Sequence, residues 1–387
     1  MLPFNKIEDK LNINKCYDLL QKSIFLLFYD LVYRNEYFVK ILFAPRIEEY
    51  PDAPINIHLS IIPEDSPLMQ ASTVNECIGN FLSFSSFLFC KIDDENDILF
   101  IHSIFLILTC LCQNNISLSN ITNPKQTKDV YIYKRKNGNQ DNKIIACHIL
   151  DLIAVFIENN LNKKELFECY YQALLIIQKI LFYLTYMKIP FEYQWNEIYK
   201  SLFLIISYIT KNLDSLKNEI LLKSIINMLT KTISFILING KIFMNEMREY
   251  DLLIKEIIEN KEECQKLKSI RTKLEGLSSS ENLTNLNEYL EEKVFIYFKP
   301  IDMVIEYFND YDSNKNITIL IKNYTDNVEF SIKIDPIETY HENPNKRIFF
   351  VRFNKLIISY LKLMIENDTS LDDFVPSLTG SSSAKLF

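Results

Sequence analysis

The residues with most chemical potential are Cys147 and His148, followed one helical turn later by Asp151: a thiol, a base and a carboxylate. Adjacent residues on a helix point about 100° apart, so Cys147 and His148 do not face each other. Asp151 adds little, because no further orienting group or oxyanion loop is visible, and the pattern is read as structural. The four histidines, His58, His102, His148 and His341, never lie three or four residues apart, which removes the usual metal-ligand spacing. Eight cysteines (Cys16, Cys77, Cys90, Cys110, Cys112, Cys147, Cys169, Cys264) sit mostly in apolar runs without a C-x-x-C pair, as buried reduced thiols do. The pairs Glu262/Glu263 and Asp372/Asp373 read as a solvated helix face and tail charge. Nucleophile elbow, P-loop, kinase and deaminase signatures are all absent from the sequence. The expectation is a protein with no catalytic residues, no cofactor and no metal, hence not an enzyme.

The sole tryptophan, Trp195, opens a helical pattern just after Pro190. It fits a buried anchor between helices, or an exposed hot spot for a partner. A net charge of −8 argues against non-specific nucleic-acid binding. Only five of 387 residues are glycine, too few for Gly-rich phosphate loops or many tight hairpins. The start, MLPFNKIEDK, lacks a basic segment and an apolar core, so no signal peptide is expected. The apolar runs Ile24–Tyr29, Phe81–Cys90 and Ile104–Cys112 are each too short to cross a bilayer. No transmembrane segment is therefore expected, and membrane association is at most peripheral.

The elements that must position these residues are helical. Residues 1–112 read as an N-terminal helical segment interrupted by an irregular connection at Pro45, Pro51, Pro54, Pro63 and Pro67. Its helices are expected over 14–43, over 74–91 after a capping box at Ser72 or Thr73 with Glu76, and over 98–112. Residues 113–145 are polar and poorly periodic, and read as a mobile loop with a short strand-like piece at 130–133. Lys134-Arg-Lys136 within it reads as solvated loop rather than a lipid-headgroup patch. A core stack fills 146–275, with helices at 146–160, 164–187, 193–211, 215–239 and 246–268. Helix 164–187 shows one narrow polar line (Glu165, Glu168, Gln172, Lys179) on an apolar cylinder, the mark of an inner helix covered on most sides. Gly240 suits the left-handed residue that ends a helix. Gly276 and residues 278–282 mark a boundary. A C-terminal helical segment at 286–366 follows, with 317–335 read as helix although partial alternation also fits a strand. A disordered tail is expected at 368–387.

Helices of similar length joined by short breaks cannot each bury their faces alone, so they stack on neighbours. The predicted fold is all-α: an armadillo/HEAT-like α-solenoid of stacked antiparallel helices, with no strict sequence repeat.

Several local patterns, in order, carry a resemblance. They are Phe105–Cys110 (FLILTC), Leu150–Ile157 (LDLIAVFI), Ile177–Tyr183 (IQKILFY), Tyr193–Leu202 (YQWNEIYKSL), Asn239–Phe243 (NGKIF) and Tyr250–Ile258 (YDLLIKEII). Together they resemble the C-terminal domain of the armadillo-like helical domain-containing protein family, a eukaryotic, Golgi-associated family. A weaker likeness continues to about residue 362. Two departures stand out: Lys241 replaces the family's aspartate after the turn glycine, and Tyr199 its second tryptophan. The chain is also short for the family, with the N-terminal solenoid reduced.

The resemblance implies a non-enzymatic scaffold at the cytosolic Golgi face. It would work with a Golgi Arf guanine-nucleotide exchange factor with a Sec7 domain, and with phosphatidylinositol 4-kinase, in secretory traffic. Acidic net charge suits protein partners better than anionic lipid. The alternative is a generic peptide-binding or assembly solenoid, like a transport receptor, unrelated to the Golgi. The helix-end positions matching the family, Trp195, Glu197, Gly240, Tyr250 and Asp251, are the expected partner-binding residues.

Overall fold

Helical periodicity along the sequence becomes two layers of helices, described here from a computed structural model. It describes residues 27–33, 35–43, 72–92, 95–133, 141–216, 218–278, 295–309, 317–328 and 330. The chain divides into two compact units, Tyr29–Tyr340 and Met1–Phe28 with His341–Phe387; the account below concerns the first. Its helices are α1 (Glu36–Leu42), α2 (Ser72–Cys90), α3 (Glu95–Leu111), α4 (Asn115–Ile121), α5 (Ile145–Asn160) and α6 (Phe167–Met187). They continue with α7 (Asn196–Asn212), α8 (Glu219–Phe243), α9 (Met247–Glu259), α10 (Lys261–Ser278), α11 (Lys299–Phe308) and α12 (Ile317–Asn327).

The pairs α2/α3, α5/α6 and α7/α8 repeat one unit. Helix α2 stacks on α5, α5 on α7, and α7 on α9 and α10; in the second layer α3 stacks on α6, α6 on α8, and α8 on α11. This is an all-α, armadillo-like solenoid, as the apolar periodicity predicts. Helix α6 is buried at Gln172, Gln178 and Lys179 as well as along its apolar faces, as an inner helix must be. Gln178 Nε2 sets its register on α8, donating to the Met228 carbonyl at 3.0 Å and to Thr232 Oγ1 at 2.9 Å. At the α2–α6 end, Phe89, Phe105, Phe156 and Tyr170 form a ring cluster with centroids 4.7–5.3 Å apart. Residues 72–92 and 95–112 of the N-terminal helical segment stack directly on the central helices.

Residues 113–133 and 141–145 depart from the expected mobile loop, and 134–140 lie outside the described residues. They hold α4 and a two-stranded antiparallel sheet, β1 (Thr127–Val130) with β2 (Asp141–Ile144), pairing Thr127 with Ile144 and Val130 with Asp141. The strand lies before the expected 130–133, and the physical cause is on α2. Gly79, Ser83, Ser86 and Cys90 recur at helical spacing and leave a shallow face. The Tyr131 and Tyr133 N–H groups donate to Ser83 Oγ and Ser86 Oγ, each at 3.0 Å, while Ser86 Oγ donates back to the Tyr131 carbonyl. Helix hydroxyls thus satisfy backbone groups that a loop would leave to water.

Three helix bounds also differ. Helix α8 runs through Gly240 to Phe243, and no described glycine has positive φ, so Gly240 is not a left-handed helix end. The residue in that role is Lys188 (φ 52°), after Met187. Its N–H bonds to the Thr185 carbonyl while Ile189 N–H bonds to that of Leu184, so two orphan carbonyls are satisfied. The pattern over 246–268 is two helices, broken at Asn260. Within 317–335, Ile317–Asn327 is helical. Of the expected C-terminal helical segment at 286–366, residues 286–294, 310–316, 329 and 331–366 lie outside the described residues, as do the Pro-rich connection and the tail. Among the described residues one helix, α8, is long and apolar enough to cross a bilayer, and most of that stretch is buried against its neighbours.

A candidate interaction site at the helix ends

Pro190 denies the chain after α6 a backbone donor and pushes it into extended conformation. The next residue, Phe191, donates its N–H to the Phe243 carbonyl at 2.7 Å and forms a parallel bridge with Met244. The α6–α7 connection thus lies beside the α8–α9 junction. Trp195 continues this contact: its backbone N–H donates to Glu249 Oε2 at 2.9 Å, which joins the start of α7 to α9.

The indole of Trp195 is fully buried. Its ring packs at 5.1 Å on Tyr193, 5.4 Å on Phe243, 6.1 Å on Phe191 and 6.5 Å on Tyr199. Of the two readings of Trp195, the structure selects the inter-helix anchor. Tyr250 is buried as well, and its hydroxyl donates to the Leu237 carbonyl at 2.5 Å. A Cβ added at Gly240 would sit 2.8 Å from Tyr250 Cδ2, so glycine is required here for close approach of α9 rather than for backbone conformation. Burial raises the Tyr199 and Tyr250 phenols well above their ordinary range, leaving both neutral.

Glu197 and Asp251 lie at the margin of this cluster and are half-buried. Glu197 occupies the first turn of α7, where a carboxylate complements the helix dipole. Asp251 lies beside α12. Burial raises its carboxyl above the ordinary 3.8, while the Thr325 side chain, Lys322 and Lys241 pull it down and Asp326 pushes it up. A raised carboxyl disfavours the charged folded state, so Asp251 costs stability above its unfolded value and that cost disappears as pH falls through its folded value. Asp251→Asn is expected to raise Tm at pH 7, with the gain shrinking towards zero below pH 3.8 in parallel thermal melts. An equal gain at all pH values would rule out the ionisation as its cause. Lys241 directs its ammonium to the Thr325 and Val328 carbonyls and so caps the C-terminal end of α12.

The expected partner-binding residues are therefore brought together, but Trp195, Gly240 and Tyr250 form the inside of a joint. Sequence spacing also hid Asp151: fully buried on α5, it accepts from the Tyr193 hydroxyl at 2.9 Å and pairs with Lys143 Nζ at 3.8 Å. The signal was the tyrosine two residues before Trp195, whose hydroxyl needs a partner when its ring is half-buried.

The potential nucleophile constellation is taken up elsewhere. Cys147 Sγ donates to the Glu192 carbonyl at 3.7 Å, and burial followed by the Asp151 charge pushes its thiol up to about 12. His148 Nε2 meets the Lys128 carbonyl at 2.8 Å, and since a carbonyl only accepts, that nitrogen carries the proton and pins β1 to α5. Cys147 is expected to resist iodoacetamide at pH 8 in the native protein and react only with unfolding. Peptide-mapped rapid alkylation in the native state would refute this. Among the described residues no group of three or more His, Cys, Asp or Glu side chains could hold a metal.

A sequence profile of "Armadillo-like helical domain-containing protein 3, C-terminal" matches residues 143–362, which include the whole helix-end cluster. The zebrafish (Danio rerio) armadillo-like helical domain-containing protein 3 is 21% identical over 395 residues, covering 90% of this chain and 55% of that protein. Its Xenopus laevis and human counterparts are each 21% identical, over 61% and 63% of this chain and 38% and 36% of their own lengths. The chain thus spans between about a third and about half of these relatives. No solved structure shows a significant match.

Proposed function

Because the chain belongs to the armadillo-like helical domain-containing protein 3 family, we propose that it is a non-enzymatic scaffold that binds other proteins at the cytosolic face of the Golgi. It would support the Arf exchange factor with a Sec7 domain and phosphatidylinositol 4-kinase in secretory traffic, itself peripheral to the membrane. The observation that carries the scaffold reading is the helix-end joint. Segments far apart in sequence, at residues 151, 191–199, 240–244 and 249–251, are locked by hydrogen bonds and ring contacts into one rigid unit. The Cys147, His148 and Asp151 side chains are engaged in hydrogen bonds within that structure, which supports a structural role for them. Rigid stacked helices with negative net charge suit protein recognition more than direct adsorption to anionic lipid.

The test is an affinity pull-down of the tagged chain from native cells, read by mass spectrometry, with imaging of the tagged protein against a Golgi marker. The expected result is recovery of the exchange factor or the kinase and Golgi overlap. Recovery of nuclear-pore or unrelated assembly components without Golgi proteins would leave the scaffold and remove the Golgi assignment.

A further inference from the structure

Helix α10 turns one side toward the last turn of α7 and leaves a cleft between them. The cleft opens to solvent and measures about 430 Å³, within the usual size range of binding clefts. Its α10 wall holds Glu262, Lys266, Ile270 and Lys273, in steps of three and four residues that keep to one face of the helix over about 16 Å. Ile270, which is buried, and Leu213, half-buried just past α7, give it an apolar floor. Glu262, Lys266 and Lys273 are exposed, so a partner reaches all three without disturbing the stack.

The two ammoniums on this wall have no partner of their own. Lys268, which does not line the cleft, pairs with Asp302 of α11 at 2.6 Å, and Lys255 on α9 pairs with Glu259 at 3.6 Å. Neither Lys266 nor Lys273 forms an ion pair among the described residues, although Glu262 precedes Lys266 by one turn. The two lysines are about 10 Å apart along the helix axis, with Ile270 between them. On a chain of net charge −8, two lysines against one glutamate make a local excess of positive charge beside an apolar floor.

We propose that the α7–α10 cleft binds an extended segment of a partner protein that carries two acidic side chains with an apolar one between them. At about 3.3 Å per residue, acidic residues roughly three apart match the separation of the two lysines. Their carboxylates pair with Lys266 Nζ and Lys273 Nζ, while the apolar side chain covers Ile270 and Leu213. Glu262, at the end of the row, favours a basic residue beside it and so sets the direction of the segment. A phosphorylated lipid headgroup fits less well: two lysines are few to hold an acidic chain on an anionic bilayer, and Glu262 opposes the approach. The inference rests on the protein-binding scaffold reading and is independent of Golgi placement.

The test is a selection of displayed random-sequence peptides on the intact chain, with the double charge reversal Lys266→Glu and Lys273→Glu as counter-target. Both side chains are exposed, so the reversed variant is expected to melt at the wild-type temperature. The expected binders carry paired acidic residues, bind the reversed variant about tenfold or more weakly, and lose as much when those residues become amides. Their affinity falls as salt rises. A binder with both acidic residues changed to lysine should prefer the reversed variant to the wild-type protein, an exchange of charge that places the contact in the cleft. Should the reversed variant fail to fold, Lys266→Gln with Lys273→Gln gives the same comparison. A selection without acid-dependent binders, or equal binding to the folded reversed variant, overturns the proposal. So does lysine-dependent capture of vesicles containing phosphatidylinositol 4-phosphate in place of peptide. Golgi partners recovered by a chain that binds no acidic peptide would keep the scaffold and remove the cleft. Lysine-dependent peptide binding without Golgi proteins in the pull-down would keep the cleft and remove only the Golgi assignment.

Discussion

Trp195→Ala is expected to lower the stability of the folded chain by about 4 kcal/mol, the upper range for removing a large aromatic ring from a core. The indole is fully buried among Phe191, Tyr193, Tyr199 and Phe243. These rings come from the α6–α7 connection, α7 and the end of α8, so the cavity would open where three elements meet and no single side chain can fill it. The indole Nε1 has no acceptor, so the loss is one of packing rather than of a hydrogen bond. Urea unfolding followed by circular dichroism is the suitable measurement, since the substitution removes the only tryptophan fluorophore. A change below about 1 kcal/mol, far short of that core-packing range, combined with lost partner capture, would restore the surface hot-spot reading.

Gly240→Ala is the second large effect, and its sign discriminates between two roles. On helix propensity alone, alanine in the interior of α8 should stabilise by about 1 kcal/mol. The added Cβ, however, would lie 2.8 Å from Tyr250 Cδ2 and 3.1 Å from Cε2. That ring cannot swing aside cheaply, because its hydroxyl holds the Leu237 carbonyl. Overpacking of this kind costs about 1–3 kcal/mol, and the strained contact is expected to win, giving net destabilisation of about 1–2 kcal/mol. A double-mutant cycle with Tyr250→Leu checks the cause: the penalty at 240 should fall once the ring is gone. Stabilisation by Gly240→Ala in the wild-type background would refute close packing as the reason for glycine.

Both substitutions concern residues that the family likeness marks as functional and that the fold uses as joints. The distinction matters for locating partners. A variant at Trp195 or Tyr250 that loses a partner does so through the geometry of the helix ends. Lys241 caps carbonyls of α12 with its ammonium, a task an ionised carboxylate cannot perform because it has no proton to donate.

Sequence alone determined the helices and their layering. Residues 146–160 and 164–187 show helical apolar spacing, and a helix as apolar around its circumference as α6 has to be inner. It also determined that Cys147 and His148 do not face each other, a consequence of helix geometry. What it could not determine was set by contacts between segments distant in the chain. Trp195 is equally at home in a core or at an interface, and only the approach of Phe243 and Tyr199 places it inside. Gly240 satisfies the local rule for a helix end, but the nearby ring of Tyr250 is the constraint that acts on it. The polar stretch 113–145 has little periodicity of its own, and its backbone at Tyr131 and Tyr133 is held by serines on α2, more than forty residues away. Lys179 is one mark on a polar line of α6; that it is buried follows only from where α3 and α8 lie against α6, because local spacing fixes which face a side chain occupies and tertiary packing fixes what that face meets.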